Sequence, residues 1–200
     1  MTLILASASP RRADLLRQVG LSFTVAAPGI EEDLTVTKEP GAQVIELARA
    51  KVLATSRRFK SGFVLAADTL VVIDDTYLGK PVDENDARRM LFMLSGRKHE
   101  VYTGLTLMNA STGYLKTDFA RTSVWMKLLD KDHVDLYLKT EEPFDKAGAY
   151  GIQGRGALFI DKIAGCYFNV VGLPLSLLFE LLTEMKVPTW LTAKEDRDGK

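Results

Sequence analysis

The 200-residue sequence is poor in the residues that staple or metallate small folds. It has a single cysteine, Cys166, and two histidines, His99 and His133. No intrachain disulfide can form, and a Cys/His zinc cage is excluded. Charge of neither sign is in excess, because 26 Lys plus Arg balance 26 Asp plus Glu. The basic surplus that drives binding to nucleic acid polymers is therefore missing, although a small anion in a local basic site is not excluded. Long apolar runs are missing as well. The stretch nearest to the ~18 to 20 residues of a membrane span runs from Tyr167 to Leu182, and Asn169, Gly172, Pro174 and Glu180 interrupt it. The short apolar run Leu3 to Ala6 has no basic segment before it, unlike a secretory signal. Neither the G-x-x-x-x-G-K-[ST] phosphate loop nor the G-x-G-x-x-G dinucleotide fingerprint occurs. These absences predict a cytoplasmic protein with no membrane and no nucleic acid polymer as partner.

What is present is ordinary globular composition, with 46% hydrophobic and 26% charged residues. Thr2 to Ala6 reads as a buried strand. Ser9 and Pro10 then open a helix as N-cap and first helical residue, and Gly20 ends it. Phe23 to Ala27 reads as a second strand, followed by the acidic loop Glu31-Glu32-Asp33. Pro40 to about Arg58 is a helix, with Val44, Leu47, Ala48, Val52 and Thr55 on a 3.6 period. Phe63 to Ala67 and Leu70 to Ile73 are strand-like, with Asp68-Thr69 between them and a turn at Asp74-Asp75. Asp83 caps a helix that stops at Gly96. Val101 to Met108 and Tyr114 to Met126 form a long hairpin. A short helix from Asp130 to Lys139, a glycine-rich loop from Gly148 to Gly156, and strands at Phe159 to Ile163 and Phe168 to Val171 follow. Pro174 to Lys186 closes the fold as a helix with Leu178, Phe179 and Leu182 inward. Strands mixed with helices around a hairpin predict an α/β fold with a mixed sheet. Residues 1–186 form one domain, and 187–200 are a C-terminal extension with a charged, frayed end.

Several residues stand out chemically. Ser7-Ala8-Ser9-Pro10-Arg11-Arg12 joins a strand to a helix start, where backbone N–H groups favour an anion. Two arginines in a first turn oppose the helix dipole by roughly 0.3 to 1 kcal/mol each, a penalty that a bound phosphate reverses. A capping serine with two solvated arginines is the competing account. Lys51 falls on the apolar stripe of its helix, so it either snorkels to water or meets an anion. Asp68 sits inside an apolar run, where an isolated charge is costly. It must pair with a cation, bind a metal, hold a raised pKa, or cap a turn at a strand end. Lys80, in Gly79-Lys80-Pro81, is a cation in a constrained loop, and Gln153 is an amide in a glycine-rich loop. A glutamine has both a donor and an acceptor, which suits the N3–H and O4 edge of uracil or thymine. Glu31-Glu32-Asp33 offers hard oxygen to Mg²⁺ or is a solvated loop. His99, His133 and Cys166 read as structural residues.

In this order, Ser7 to Arg12, Ala67-Asp68-Thr69, Gly79-Lys80-Pro81, Leu94 to Arg97, His99 to Gly104, Asp145 to Gly154 and Asn169 to Pro174 resemble the Maf family of nucleoside triphosphate pyrophosphatases. The resemblance runs from about Leu3 to Leu182. It implies a fold like that of inosine triphosphatases: an elongated mixed sheet flanked by helices, with a central cleft between two lobes. It implies hydrolysis of a nucleoside triphosphate to the monophosphate and pyrophosphate with a divalent metal, Mg²⁺ or Mn²⁺, and a homodimer. Arg11 after Ser-Pro and the Tyr-Gly-Ile-Gln loop are similar to the subgroup acting on dTTP and UTP, which extends to modified pyrimidine nucleotides. The implied roles are Asp68 as general base and metal ligand, with Glu32 as the second ligand. Ser7, Arg12, Lys51 and Lys80 grip the phosphates, and Arg11, Thr69 and Gln153 read the base. Where the family usually has Asp-Glu, this chain has Glu31-Glu32, so the metal role goes to Glu32. Two alternatives remain open: a nucleotide-binding regulator of division and septum formation without turnover, and a nucleotidyltransferase.

Overall fold

The computed structural model describes residues 2–29 and 39–190. Glu31, Glu32, Asp33 and the charged tail lie outside the described residues. The chain is α/β, with a seven-stranded mixed sheet flanked by helices. Strands β1 (Leu3–Leu5) and β2 (Phe23–Val25) flank α1 (Pro10–Gln18), and α2 (Pro40–Ser56) precedes β3 (Phe63–Ile73). Then come β4 (Thr76–Leu78), α3 (Glu84–Leu94), β5 (Lys98–Asn109), β6 (Leu115–Met126), α4 (Lys131–Leu138), β7 (Ile160–Ala164), α5 (Tyr167–Val171) and α6 (Leu175–Glu184). The strand order is β2-β1-β3-β5-β6-β7, with β4 also paired to β3. Strand β1 runs parallel to both neighbours, and every other pairing is antiparallel.

Strand β3 organises the molecule. One of its edges pairs with β5 from Phe63 through Val72. The other edge pairs with β1 over Phe63 to Leu65 and with β4 over Val71 to Ile73. Between those pairings, Ala66 to Leu70 face no strand on that edge among the described residues. The gap separates two apolar cores. One gathers Leu3, Leu5, Leu15, Leu16, Leu65 and the α6 leucines. The other gathers Val71, Ile73, Leu91, Leu94, Val124 and Val134. Alternation along β3 sends Val64, Ala66 and Leu70 toward α2, where Val52, Val44 and Leu47 cover them. Gly104, paired with Asp68 across the sheet, lets α2 come close: a Cβ there would sit 2.5 Å from the Val44 carbonyl.

Three local expectations are corrected. Asp68-Thr69 does not interrupt two strands but lies inside the continuous β3. Among the described residues a partner strand on one edge suffices there, because α2 covers one face. Phe168 to Val171 is not a strand. It is one turn of α5, ended by Gly172 at φ 115° and anchored by the buried Asn169, whose side-chain amide reaches Val101 O at 3.0 Å and Thr122 Oγ1 at 2.9 Å. Phe179 is half exposed, because α6 turns Leu177, Leu178, Leu181 and Leu182 inward instead. Two smaller details also differ. The Ser9 side chain makes no capping bond, and Ser7 Oγ instead accepts from Ser9 N at 3.2 Å. The glycine-rich segment contains 3₁₀ turns at Ala147–Ala149 and Gly154–Phe159. No helix among the described residues is long and apolar enough to cross a membrane.

Candidate active site

A cleft of about 570 Å³ opens at the gap along β3. Its lining includes Ser7, Arg11, Arg12, Lys51, Asp68, Thr69, Lys80 and Gln153. Residues far apart in sequence meet there because four connections converge on the gap: the turn after β1, the loop after β4, α2, and the segment from Asp145 to Gln153. Every expected site residue within the described part of the chain therefore lines one cleft. Glu32 is the exception, lying outside the described residues.

Asp68 points to the α2 face and Thr69 to the opposite one, so the cleft passes the sheet edge and draws on both faces. Asp68 is 3% exposed and Lys51 4%, and Lys51 Nζ donates to Asp68 Oδ1. Of the fates open to a carboxylate in an apolar run, pairing with a cation is the one seen here. The pairing is obligatory in physical terms, since either ion alone in this setting would cost several kcal/mol of desolvation. Lysine on the apolar stripe thus meets an anion rather than snorkelling.

On the other face, Arg12 is a fork whose three nitrogens each find an acceptor. Its Nε donates to Gly172 O at 2.9 Å, Nη1 to Ser7 Oγ at 3.1 Å and Nη2 to Thr69 Oγ1 at 3.2 Å. Thr69 Oγ1 also lies 2.9 Å from Thr103 Oγ1, which donates to Asn169 O at 3.0 Å. Arg12 is therefore held in place before any ligand arrives. Arg11 reaches across the cleft: Nη1 donates to Asp145 Oδ2 at 2.5 Å and Nη2 to Asp145 O at 3.2 Å. Asp145 also accepts from Lys146 Nζ at 2.5 Å. Burial raises the Asp145 carboxyl, but Lys146 and Arg11 outweigh it and hold the group below its ordinary value. With the Asp145 side chain 56% exposed, this bridge contributes only ~0.2 to 1 kcal/mol, so it is weak enough to open for a ligand. Lys80 is exposed on the loop after β4.

Gln153 is exposed, and its side chain has no hydrogen bond among the described residues. The segment leading to it is held from behind. Tyr150 Oη and His99 Nε2 are 2.6 Å apart in a buried pair, and Gly148 N donates to Gly79 O at 3.0 Å. Burial lowers the His99 pKa to about 4, so the ring is neutral at ordinary pH. His99 is structural, as its sequence context predicts. Thr103, Asn169 and Asp145 escaped the sequence reading as individuals. A buried Asn amid Tyr167 to Val171 was the available signal for one of them.

Carboxylates for a metal are sparse. No group of three ligating side chains exists among the described residues. Asp68 alone still fits a hard cation of the Mg²⁺ kind, which is commonly held by one or two carboxylates together with substrate phosphate oxygens.

Comparison with known proteins places this geometry. The family model described as Maf-like protein matches residues 2–185. A protein of Moorella thermoacetica named dTTP/UTP pyrophosphatase is 49% identical over 188 residues, covering 94% of this chain and 97% of its own. One of the same name from Carboxydothermus hydrogenoformans is 46% identical, covering 92% of this chain and 98% of its own. Another from Dictyoglomus thermophilum is 42% identical over 92% and 95% of the two chains. With the match running nearly end to end and every motif of the cleft inside it, this chain belongs to the Maf family.

Proposed function

We propose that the protein hydrolyses dTTP and UTP, and related modified pyrimidine nucleotides, to the monophosphate and pyrophosphate. The observation that carries this reading is the buried Asp68–Lys51 pair opening into a cleft lined by Ser7, Arg12 and Lys80. A triphosphate carries about four negative charges, and these cations and the serine hydroxyl face it. The names of the relatives support the same substrates.

Asp68 takes a proton from a water molecule as the water oxygen attacks the α-phosphorus. The bond from that phosphorus to the bridging oxygen breaks, and pyrophosphate leaves with the electron pair. Lys51, donating to Oδ1, orients Asp68. Because an ammonium has three donors, Lys51 also serves a phosphate oxygen. Arg12, pre-set by Ser7, Thr69 and Gly172, presents a fixed fork to the phosphates at little entropic cost. A divalent cation, Mg²⁺ or Mn²⁺, held by Asp68 and Glu32, supplies charge neutralisation on the triphosphate when bound. Gln153 presents its carbonyl to N3–H and its amide to O4 of uracil or thymine, whereas cytosine reverses both demands. Arg11 and Thr69 complete the base-reading group.

The test is to incubate the protein with each common nucleoside triphosphate and Mg²⁺ or Mn²⁺. Equimolar monophosphate and pyrophosphate from dTTP and UTP are expected, with CTP and purine triphosphates at least ~10-fold slower in kcat/KM. Release of orthophosphate overturns the reaction. Binding without any turnover overturns it in favour of a regulator.

A further inference from the structure

We infer that Glu142, acting through Tyr137, is the positioning residue that fixes Gln153 for reading the base and so sets pyrimidine selectivity without touching substrate. The inference rests on the base-reading role proposed above for Gln153. It starts from the Gln153 side chain, which among the described residues has no hydrogen bond of its own to hold it. Its place is set by the backbone of Gly151 to Gly156, and the amides at both ends of that segment converge on one anchor. Gly151 N donates to Tyr137 Oη at 3.2 Å. Tyr137 Oη donates in turn to Glu142 Oε1 at 2.9 Å. Gly156 N donates to the same Oε1 at 3.1 Å, and Arg155 N to Oε2 at 3.0 Å. Tyrosine and carboxylate together thus clasp the segment before and after Gln153.

The surrounding chain is shaped to this anchor. A Cβ on Gly156 would lie 2.6 Å from Tyr137 Oη and 2.5 Å from Gly151 O, so no larger residue leaves the clasp closed. Burial raises the Glu142 carboxyl, but the Arg155 and Gly156 amides and the Tyr137 hydroxyl outweigh it and hold it below the ordinary value. The group is therefore ionised at neutral pH, and bonds to a charged acceptor are stronger than neutral ones. Tyr137 itself packs edge-on against Phe159 at 5.0 Å, which ties the clasp to the second core.

The experiment measures kcat/KM for UTP and CTP in wild type, Glu142→Ala, Glu142→Gln and Tyr137→Phe, each also combined with Gln153→Ala. Tyr137→Phe keeps the ring packing and removes only the hydroxyl, so it carries the test should Glu142→Ala fold poorly. Glu142→Ala and Tyr137→Phe are expected to shrink the UTP-over-CTP ratio by about 10-fold. The loss falls mainly on KM for UTP, with kcat within about 3-fold of wild type. Glu142→Gln, which keeps an acceptor oxygen, recovers part of the ratio. In the Gln153→Ala background the same substitutions leave the ratio unmoved, because contacts that act through one residue are not additive. Amide hydrogen exchange at Arg155 and Gly156 is expected to quicken in Glu142→Ala, independent of activity. A wild-type preference that survives both single variants, or equal losses with and without Gln153, overturns this inference alone. A wild-type enzyme that hydrolyses UTP and CTP alike overturns the base-reading proposal, and the inference with it.

Discussion

The two walls of the cleft hold their polar groups in opposite ways. On one wall, Asp68 and Lys51 stand on a central strand and a long helix, almost wholly buried and set charge against charge. On the other, Gln153 is exposed at the start of a short 3₁₀ turn, and its position is inherited from backbone amides and from groups behind it, His99, Tyr150, Tyr137 and Glu142. The first arrangement is rigid because error is expensive: a buried ion displaced from its counter-ion loses compensation that the apolar surroundings do not replace. The second is cheap to perturb, since an exposed amide that moves returns to water. On the roles proposed above, reaction chemistry sits where the fold tolerates least change, and base choice sits where single residues can alter it.

The strongest way to break this contrast is Asp68→Asn. Loss of the general base should lower kcat by ~10² to 10⁴-fold while nucleotide still binds, as read by pyrophosphate release and calorimetric titration. A variant retaining more than about a tenth of wild-type kcat removes Asp68 from that role. Next in size is Lys51→Ala, which takes the ammonium away from the buried Asp68 carboxylate. Unfolding free energy should fall by ~3 to 5 kcal/mol, seen as a lower urea midpoint at unchanged slope. An unmoved midpoint would mean that the first wall is no more demanding than the second.

The second wall has its own signature in pH. His99 stays neutral in the fold down to about 4, against an unfolded value of 6.5. Between those values the unfolded chain binds a proton that the folded chain refuses. Stability from this site is therefore complete above about 6.5 and is lost as pH falls toward 4, by on the order of 3 kcal/mol. Melting temperature should rise across that interval in wild type and rise less in His99→Gln. Identical slopes would show that other groups dominate. The smallest effect belongs to Gln153→Glu, which removes the donor to O4 and adds a charge. It should lower kcat/KM for UTP by about 10-fold, or ~1.4 kcal/mol, while leaving the urea midpoint in place. Unchanged competition kinetics between UTP and CTP would remove Gln153 from base reading.

Much of this was legible in the sequence because the relevant signals are local. An aspartate between Val64-Leu65-Ala66-Ala67 and Leu70-Val71-Val72 announces a carboxylate that needs a partner, and Lys51 on a helical apolar stripe announces a cation that needs one. That each is the other's partner was not legible, because pairing depends on how α2 lies across β3, which Gly104 permits from a third element. The same limit hid the Arg12 fork, whose acceptors come from residues 7, 69 and 172. Apolar β-branched residues in Phe168 to Val171 suggested a strand. The single turn formed there instead depends on Asn169 bonds to two other strands, which no local window contains. Nothing in the sequence marks Glu142, since its importance lies in amides that fold back to it.

The stretch of β3 from Ala66 to Leu70, which pairs with no strand on one edge among the described residues, also bears on self-association. Unpaired strand edges recruit strands from neighbouring molecules and seed aggregation. Here β1 covers one end of the edge and β4 the other. The opening left between them is about the length of one average strand, ~5 to 6 residues, and both its ends are walled. A nucleotide fits within such a notch, whereas a peptide strand longer than the notch runs into β1 or β4 at its ends. Trimming the β4 hairpin at Asp74-Asp75 would lengthen the exposed edge, and the expected cost is precipitation of folded protein before any loss of nucleotide affinity.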